Sequence, residues 1–175
     1  MIQMVAVDAF DAEILLRYLQ DHGLLSGAFR RNPGLIAHLQ MASSYCIWND
    51  GDSALALMLE IPLPEPHTMD IMIIPEDKAL GKKKEELIDF GHRLRDRWFS
   101  AMGMTRVQAK VPASRVNMQR IMRNLGFRLE TPAGLRDAIQ LGDNAPEAVL
   151  IYGLIPSDPM KVWTIQEPAQ EKASV

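Results

Sequence analysis

Three titratable side chains stand beside or inside apolar stretches, and chemistry is most economically sought there. Asp70 interrupts Thr68 to Ile74, a segment otherwise made of apolar residues. A carboxylate in a half-buried strand costs free energy unless it is satisfied or useful. Glu60 lies in the nearly continuous apolar run Ala54 to Ile61, and His67 follows a proline-rich loop. Each could take up a proton. Asp70 is the strongest candidate, its alternative being a solvent-facing place at the strand's end, whereas His67 is expected to be exposed. A basic group stands further on: Gly81 is followed by Lys82, Lys83 and Lys84 at what reads as a helix start. Backbone N–H groups at a helix N-terminus attract anions, and a glycine lets a ligand approach the backbone. Lysines there oppose the helix dipole, so they point to an anion or to a solvated turn. Other chemistries find little support. Cys46 sits in the apolar run Tyr45 to Trp48 and reads as a small buried hydrophobe. The four histidines and one cysteine are scattered, without metal-ligand spacing. No serine lies in a strand–turn–helix elbow.

The elements that position these residues follow from periodicity. Ile2 to Val7 reads as a strand. Asp8 can cap a helix carrying Phe10, Ile14, Leu15, Tyr18 and His22, ended by Gly23. Asn32-Pro33 starts a second helix with Leu35, Ile36 and Leu39 inward. Tyr45 to Trp48, Ala54 to Ile61 and Thr68 to Ile74 are strands, separated by the turn Asn49 to Asp52 and by Pro62, Pro64 and Pro66. A polar turn, Glu76 to Lys84, leads into a long helix to about Met102, with Leu87, Phe90, Gly91, Leu94 and Trp98 on one side. Arg106 to Val111 alternates as a strand. Ser114 to Leu125 is a helix stopped by Gly126. Leu135–Leu141 and Ala148–Ile155 are strands around the turn Gly142 to Asn144. The order is β-α-α-β-β-β-α-β-α-β-β.

The 175 residues suit one domain at residues 1–155 followed by a proline-containing polar tail at 156–175. Such a tail is disordered unless another chain, the same or different, holds it. Net charge is −3, which gives no overall attraction for nucleic acid or anionic lipid. Arg93, Arg95 and Arg97 share their helix with Glu85, Glu86, Asp89 and Asp96, a salt-bridged face. No signal peptide or membrane span is expected, and the single cysteine suits the cytoplasm.

The element order, taken with local motifs in register, resembles the GNAT family of acetyl-CoA-dependent N-acetyltransferases. Ile71-Met72-Ile73-Ile74-Pro75 is similar to the end of that family's fourth strand. Lys78-Ala79-Leu80-Gly81-Lys82-Lys83 stands where the family has its pyrophosphate loop, with Gly81 matching, Lys78 in place of Arg or Gln, and Lys83 in place of a small residue. Leu125-Gly126-Phe127 resembles the ending of the family's fourth helix. Arg120 matches the arginine of the Asn-x-x-Ser-x-Arg pattern of ribosomal-protein N-terminal acetyltransferases, while Arg115 and Met118 replace its other members. The last two strands are similar to that subfamily's, at Gly134 to Ala138 and Val149 to Leu154.

The resemblance implies an α/β fold: a mixed, mostly antiparallel sheet of about seven strands with about four helices, splayed between strands four and five. It implies transfer of an acetyl group from acetyl-CoA, as co-substrate, to a primary amine. Ile73, Ile74, Lys78, Gly81, Lys82 and Lys83 would hold the cofactor, and no metal is needed. Asp70 or Glu60 would take the proton from the amine. Many members protonate the leaving thiolate with a tyrosine where this chain has Met122, so Tyr152 becomes the candidate acid. The chain also resembles small GNAT-like proteins of bacteriophages, which implies an alternative: a catalytically degenerate structural or binding protein, in a virion or its assembly, held through its tail.

Overall fold

The computed structural model describes residues 1–6, 17, 21, 41–48, 54–76, 80–132, 134–139 and 147–159. Apart from residues 17 and 21, the helix read at 8–22 lies outside the described residues, as do the helix read at 33–39, the turns at 49–52 and 142–144, Lys78, and the tail from residue 160. Among the described residues eight strands form one sheet: β1 (Gln3–Ala6), β2 (Ser43–Trp48), β3 (Ala54–Pro62), β4 (Thr68–Pro75), β5 (Arg106–Pro112), β6 (Arg128–Leu129), β7 (Leu135–Ile139) and β8 (Glu147–Leu154). The spatial order is β1-β2-β3-β4-β5-β8-β6, with β7 also on β8. β4 and β5 pair in parallel, and the other neighbours are antiparallel. The two-residue β6 is the strand that periodicity did not reveal. Together β6 and β7 share one edge of β8, β6 along its C-terminal half and β7 along its N-terminal half.

Between β4 and β5 the chain makes a 3-10 turn (Leu80–Lys82), helix α1 (Lys84–Arg95) and a π-helical turn (Asp96–Ala101); α2 (Val116–Asn124) follows β5. Leu87, Phe90 and Leu94 of α1 and Ile121, Met122 and Leu125 at α2 are buried against Met69, Ile71 and Ile73 of β4 and Val107, Ala109 and Val111 of β5. Alternate residues of a strand face opposite sides. Leu57, Leu59 and Ile61 of β3 and Ile74 of β4 therefore point to the other face, where they too are buried. The helices meet closely because Gly91 has no side chain: a Cβ there would lie 2.7 Å from the Leu125 carbonyl oxygen. Gly126, at φ 97, turns the chain out of α2, with Phe127 N–H donating to the Met122 carbonyl at 3.0 Å.

The long helix expected to run to Met102 changes character at Asp96. There Met102 N–H donates to the Arg97 carbonyl at 2.9 Å, an i to i+5 bond. Two consecutive side chains from this turn converge on Glu60 of β3. Trp98 Nε1 donates to Glu60 Oε1 at 2.6 Å, and the Arg97 guanidinium pairs with the same oxygen. Arg97 also donates to the Tyr45 hydroxyl at 2.6 Å and lies over the Tyr45 ring, 4.8 Å from its centroid. Burial of the guanidinium opposes its charge most, and the Glu60 partnership then raises its pKa above the ordinary value. Glu60 is 3% exposed, so its charge is stabilised by these donors rather than by water.

Replacing Glu60 with alanine leaves Trp98 Nε1 and Arg97 without their acceptor. The expected cost is about 3 kcal/mol, which for this chain length lowers Tm by roughly 6–12 °C. Thermal denaturation followed by circular dichroism checks this. A loss under about 1 kcal/mol would show that the cluster does not hold the π turn to the sheet.

Candidate active site

The parallel ladder between β4 and β5 is short. It contains Thr68↔Arg106, Met69↔Val107 and Asp70↔Gln108. Yet β4 continues to Pro75, paired to β3 all the way, and β5 continues to Pro112, paired to β8. From Ile71 and Ala109 onward the two strands have no pairing with each other among the described residues. The result is a wedge-shaped gap in mid-sheet between the parted edges of β4 and β5, along which Ile71, Ile73, Ile74, Ala109 and Val111 are buried while Met72 and Lys110 are exposed. The expectation of a splay between strands four and five is met.

The vertex of the gap is pinned by backbone bonds. His67, exposed and at φ 57, offers its carbonyl to Thr105 N–H at 2.8 Å and to Arg106 N–H at 3.4 Å. Asp70 stands at the last rung. Its Oδ2 accepts from Lys110 Nζ at 2.9 Å, while its Oδ1 is buried and has no partner among the described residues. Asp70, Gln108 and Lys110 share the face opposite α1 and α2, because cross-strand pairs share a face and side chains alternate. Met72, exposed at 36%, follows Asp70 on that face, level with Lys110. Arg106 pairs with Glu130 as a two-pronged fork, and a Cβ on Gly153 would collide with that carboxylate. Hydrogen bonding to Glu130 is the main reason that Arg106 titrates above its ordinary value.

After β4 the chain reaches the turn before α1, which packs against α2. Lys82 is exposed and Lys83 half-buried. The side chain of Lys83, the N-cap of α1, makes no capping bond, and Glu85 and Glu86 stand in the first turn, where Lys83 pairs with Glu86 at 3.9 Å. Gly81 is buried, and its lack of a side chain serves packing: a Cβ there would overlap Asn117 Oδ1. Asn124, 8% exposed, reaches the Gly81 carbonyl from α2 at 3.5 Å. Thus α2 braces the turn from beside it. Ile73 and Ile74 lie on the parted half of β4, both buried, on opposite faces.

The candidate proton-handling residues do not all meet. Glu60 and Tyr152 are on the helix-covered face; Asp70 is on the other. Glu60 is taken up by Arg97 and Trp98. Tyr152 is 1% exposed within the core, one strand away from the gap, and burial raises its pKa against an opposing effect of Arg123. Cys46 is a half-buried thiol whose pKa burial also raises, as expected of an unreactive cysteine. Among the described residues no cluster of three or more His, Cys, Asp or Glu could hold a metal, and no helix is long and apolar enough to cross a membrane. Sequence reasoning passed over Lys110, Asn117 and Asn124. Asn124, a polar residue among buried positions of α2, carried a usable signal; Lys110 looked like any outward residue of an alternating strand.

No family model matches the sequence, and no curated protein resembles it closely enough to count as a match. Solved structures do match. The spermidine/spermine N-acetyltransferase SpeG of Vibrio cholerae, in mutant forms, aligns with a TM-score of 0.62 at 13% identity, over 88% of this chain and 93% of that one. The spermidine N-acetyltransferase of Vibrio cholerae in complex with CoA and spermine aligns with a TM-score of 0.62 at 14% identity, over 90% and 96%. A dodecameric structure of that enzyme aligns at 0.59 and 12% identity, over 88% and 93%.

Gly81→Ala should force Asn117 aside and loosen the turn, costing about 1–3 kcal/mol. Gly81→Ala combined with Asn117→Ala should recover part of that loss. Urea denaturation of the single and double variants tests the coupling; additive effects would show that the two residues are not in contact.

Proposed function

We propose that the chain uses the GNAT fold, which it shares with those enzymes, as an N-acetyltransferase, moving an acetyl group from acetyl-CoA to a primary amine. The observation that carries this reading is the gap itself: two parted strand edges, a lysine-flanked helix start after β4, and a carboxylate at the vertex. From Ile71 to Pro75 is roughly 16 Å of strand. A ligand with an anionic end and a long amide-containing arm fits that run, its amides pairing with the edge of β4 around Ile73 and Ile74. Lys82, Lys83 and the α1 amides would hold the phosphates, with Lys78 nearby in sequence and Gly81 keeping the turn tight. Bound acetyl-CoA supplies an activated thioester at the vertex.

Asp70 is the residue of this chain best placed to act on the acceptor. Its carboxylate, with Oδ1 unpartnered among the described residues, can take up the proton of an incoming amine. Glu60 is a poor base for this reaction because it is buried on the far face among its own donors. Tyr152 is similarly remote, and a thiolate leaving group is a weak enough base to depart with little help: free thiols ionise near pH 8.5. The lack of a tyrosine at Met122 is therefore compatible with turnover. One observation favours the alternative, a binding or structural protein of the same fold: the space over Gly81 belongs to Asn117.

Thermal unfolding with and without acetyl-CoA separates the two. At about 100 times its Kd the ligand adds roughly 2.7 kcal/mol, a rise of about 5–10 °C. Lys82→Glu with Lys83→Glu should weaken that binding about tenfold or more, and Asp70→Asn should lower turnover about 100-fold with little effect on it. No rise at millimolar acetyl-CoA would overturn the enzyme reading.

A further inference from the structure

We propose that Lys110 is itself an acetyl acceptor, a modification site built into the mouth of the gap. The inference rests on the acetyl-CoA reading given above. Three observations carry it. Lys110 is a primary amine on the first parted residues of β5, just beyond the final rung at Gln108. Its Nζ lies 2.9 Å from Asp70 Oδ2, the carboxylate at the vertex. Its side chain is 53% exposed, so solvent and ligand can reach it. A thioester delivered to the vertex meets this amine before any amine from outside. Lys110 thus occupies the place where an acceptor would bind, and holding amine and thioester together in one chain is worth a large effective concentration.

The ammonium must lose two protons to become an amide. The first passes through Asp70 to solvent, giving the free amine. Nζ then forms the N–C bond to the acetyl carbonyl carbon, and the C–S bond breaks with its electron pair on sulfur. The second proton leaves nitrogen and ends on that sulfur as the CoA thiol. The product side chain is neutral, so the Lys110–Asp70 ion pair is lost. Arg106, which also feels the charge of Asp70, is then the cation left near that carboxylate.

The test incubates the full chain with acetyl-CoA and maps acetyl groups by peptide mass spectrometry over time. Lys110 should be acetylated at least about tenfold faster than Lys82, Lys83 or Lys84 or than itself in the urea-unfolded chain. The rate per chain should not change with protein concentration, which marks an intramolecular step. Asp70→Asn should slow it about 100-fold, while Lys110→Arg keeps the cation and abolishes the mark at that peptide. Equal modification of Lys110 and the other lysines, or none, overturns the inference. The acetyl-CoA thermal shift in the same samples tells the failures apart: a shift without the Lys110 mark sinks this inference alone, and no shift with no mark sinks both.

Discussion

Three parallel rungs hold β4 to β5, and the arrangement of the rest of the molecule follows from their ending at Asp70↔Gln108. A sheet that parts in the middle would ordinarily be weak, because each lost rung leaves peptide groups unpaired. Here each parted strand keeps its outer partner, β3 for β4 and β8 for β5, so the gap is supported from outside. On one face α1 and α2 seal it with Phe90, Ile121 and Met122. At the vertex the His67 carbonyl takes bonds from β5, and its left-handed backbone sets the angle at which β4 begins. The gap is thus held by the architecture rather than left over from it.

Much of this could be read from the residues. Val107, Ala109 and Val111 alternate with Arg106, Gln108 and Lys110, and the structure buries the first set while placing the second on the polar face. Gly126 stops α2 at a positive φ, as its position after Leu125 implied. Asp70 stood out because a carboxylate among Met69, Ile71 and Ile73 has a solvation cost that something must offset. What could not be read depends on contacts distant in sequence. The π turn owes its anchoring to Glu60, far upstream of Arg97 and Trp98. β6 is too short to show a period. The nearness of Lys110 to Asp70 depends on a parallel register that neither strand encodes alone. The need for glycine at position 81 has a reason in the structure that the local sequence does not carry: the space that a Cβ would take is filled by Asn117 on α2.

Charge is arranged economically on the open face of β5. Arg106 with Glu130 and Lys110 with Asp70 lie along one side of the strand, and Arg128 with Asp158 lies beyond. Partly exposed pairs of this kind contribute little stability, about 0–1 kcal/mol each. Their effect is on placement: they fix long side chains over the sheet and leave the surface beside the gap near neutrality. Among the described residues, one buried polar atom within these pairs has no partner, Asp70 Oδ1. The contrast with Glu60 is instructive, since that carboxylate is deeper and its donors come from the protein itself. Two acids on neighbouring strands are thus separated by the pleat, Glu60 as a fastening under the helices and Asp70 on the other face with one oxygen unpaired among the described residues.

The position of β8 has a consequence for how the molecule is made. It is the final strand in the chain among the described residues, yet it lies inside the sheet, between β5 on one side and β6 and β7 on the other. Until it is synthesised, β5 has an open edge on each side for most of its length, one facing the gap and one awaiting β8. Contacts that span so much sequence form slowly, and open strand edges invite pairing with other chains. The nascent protein is therefore most vulnerable to edge-to-edge association just before Glu147 to Leu154 emerge, and the arrival of that one strand removes an open edge from β5, β6 and β7 together.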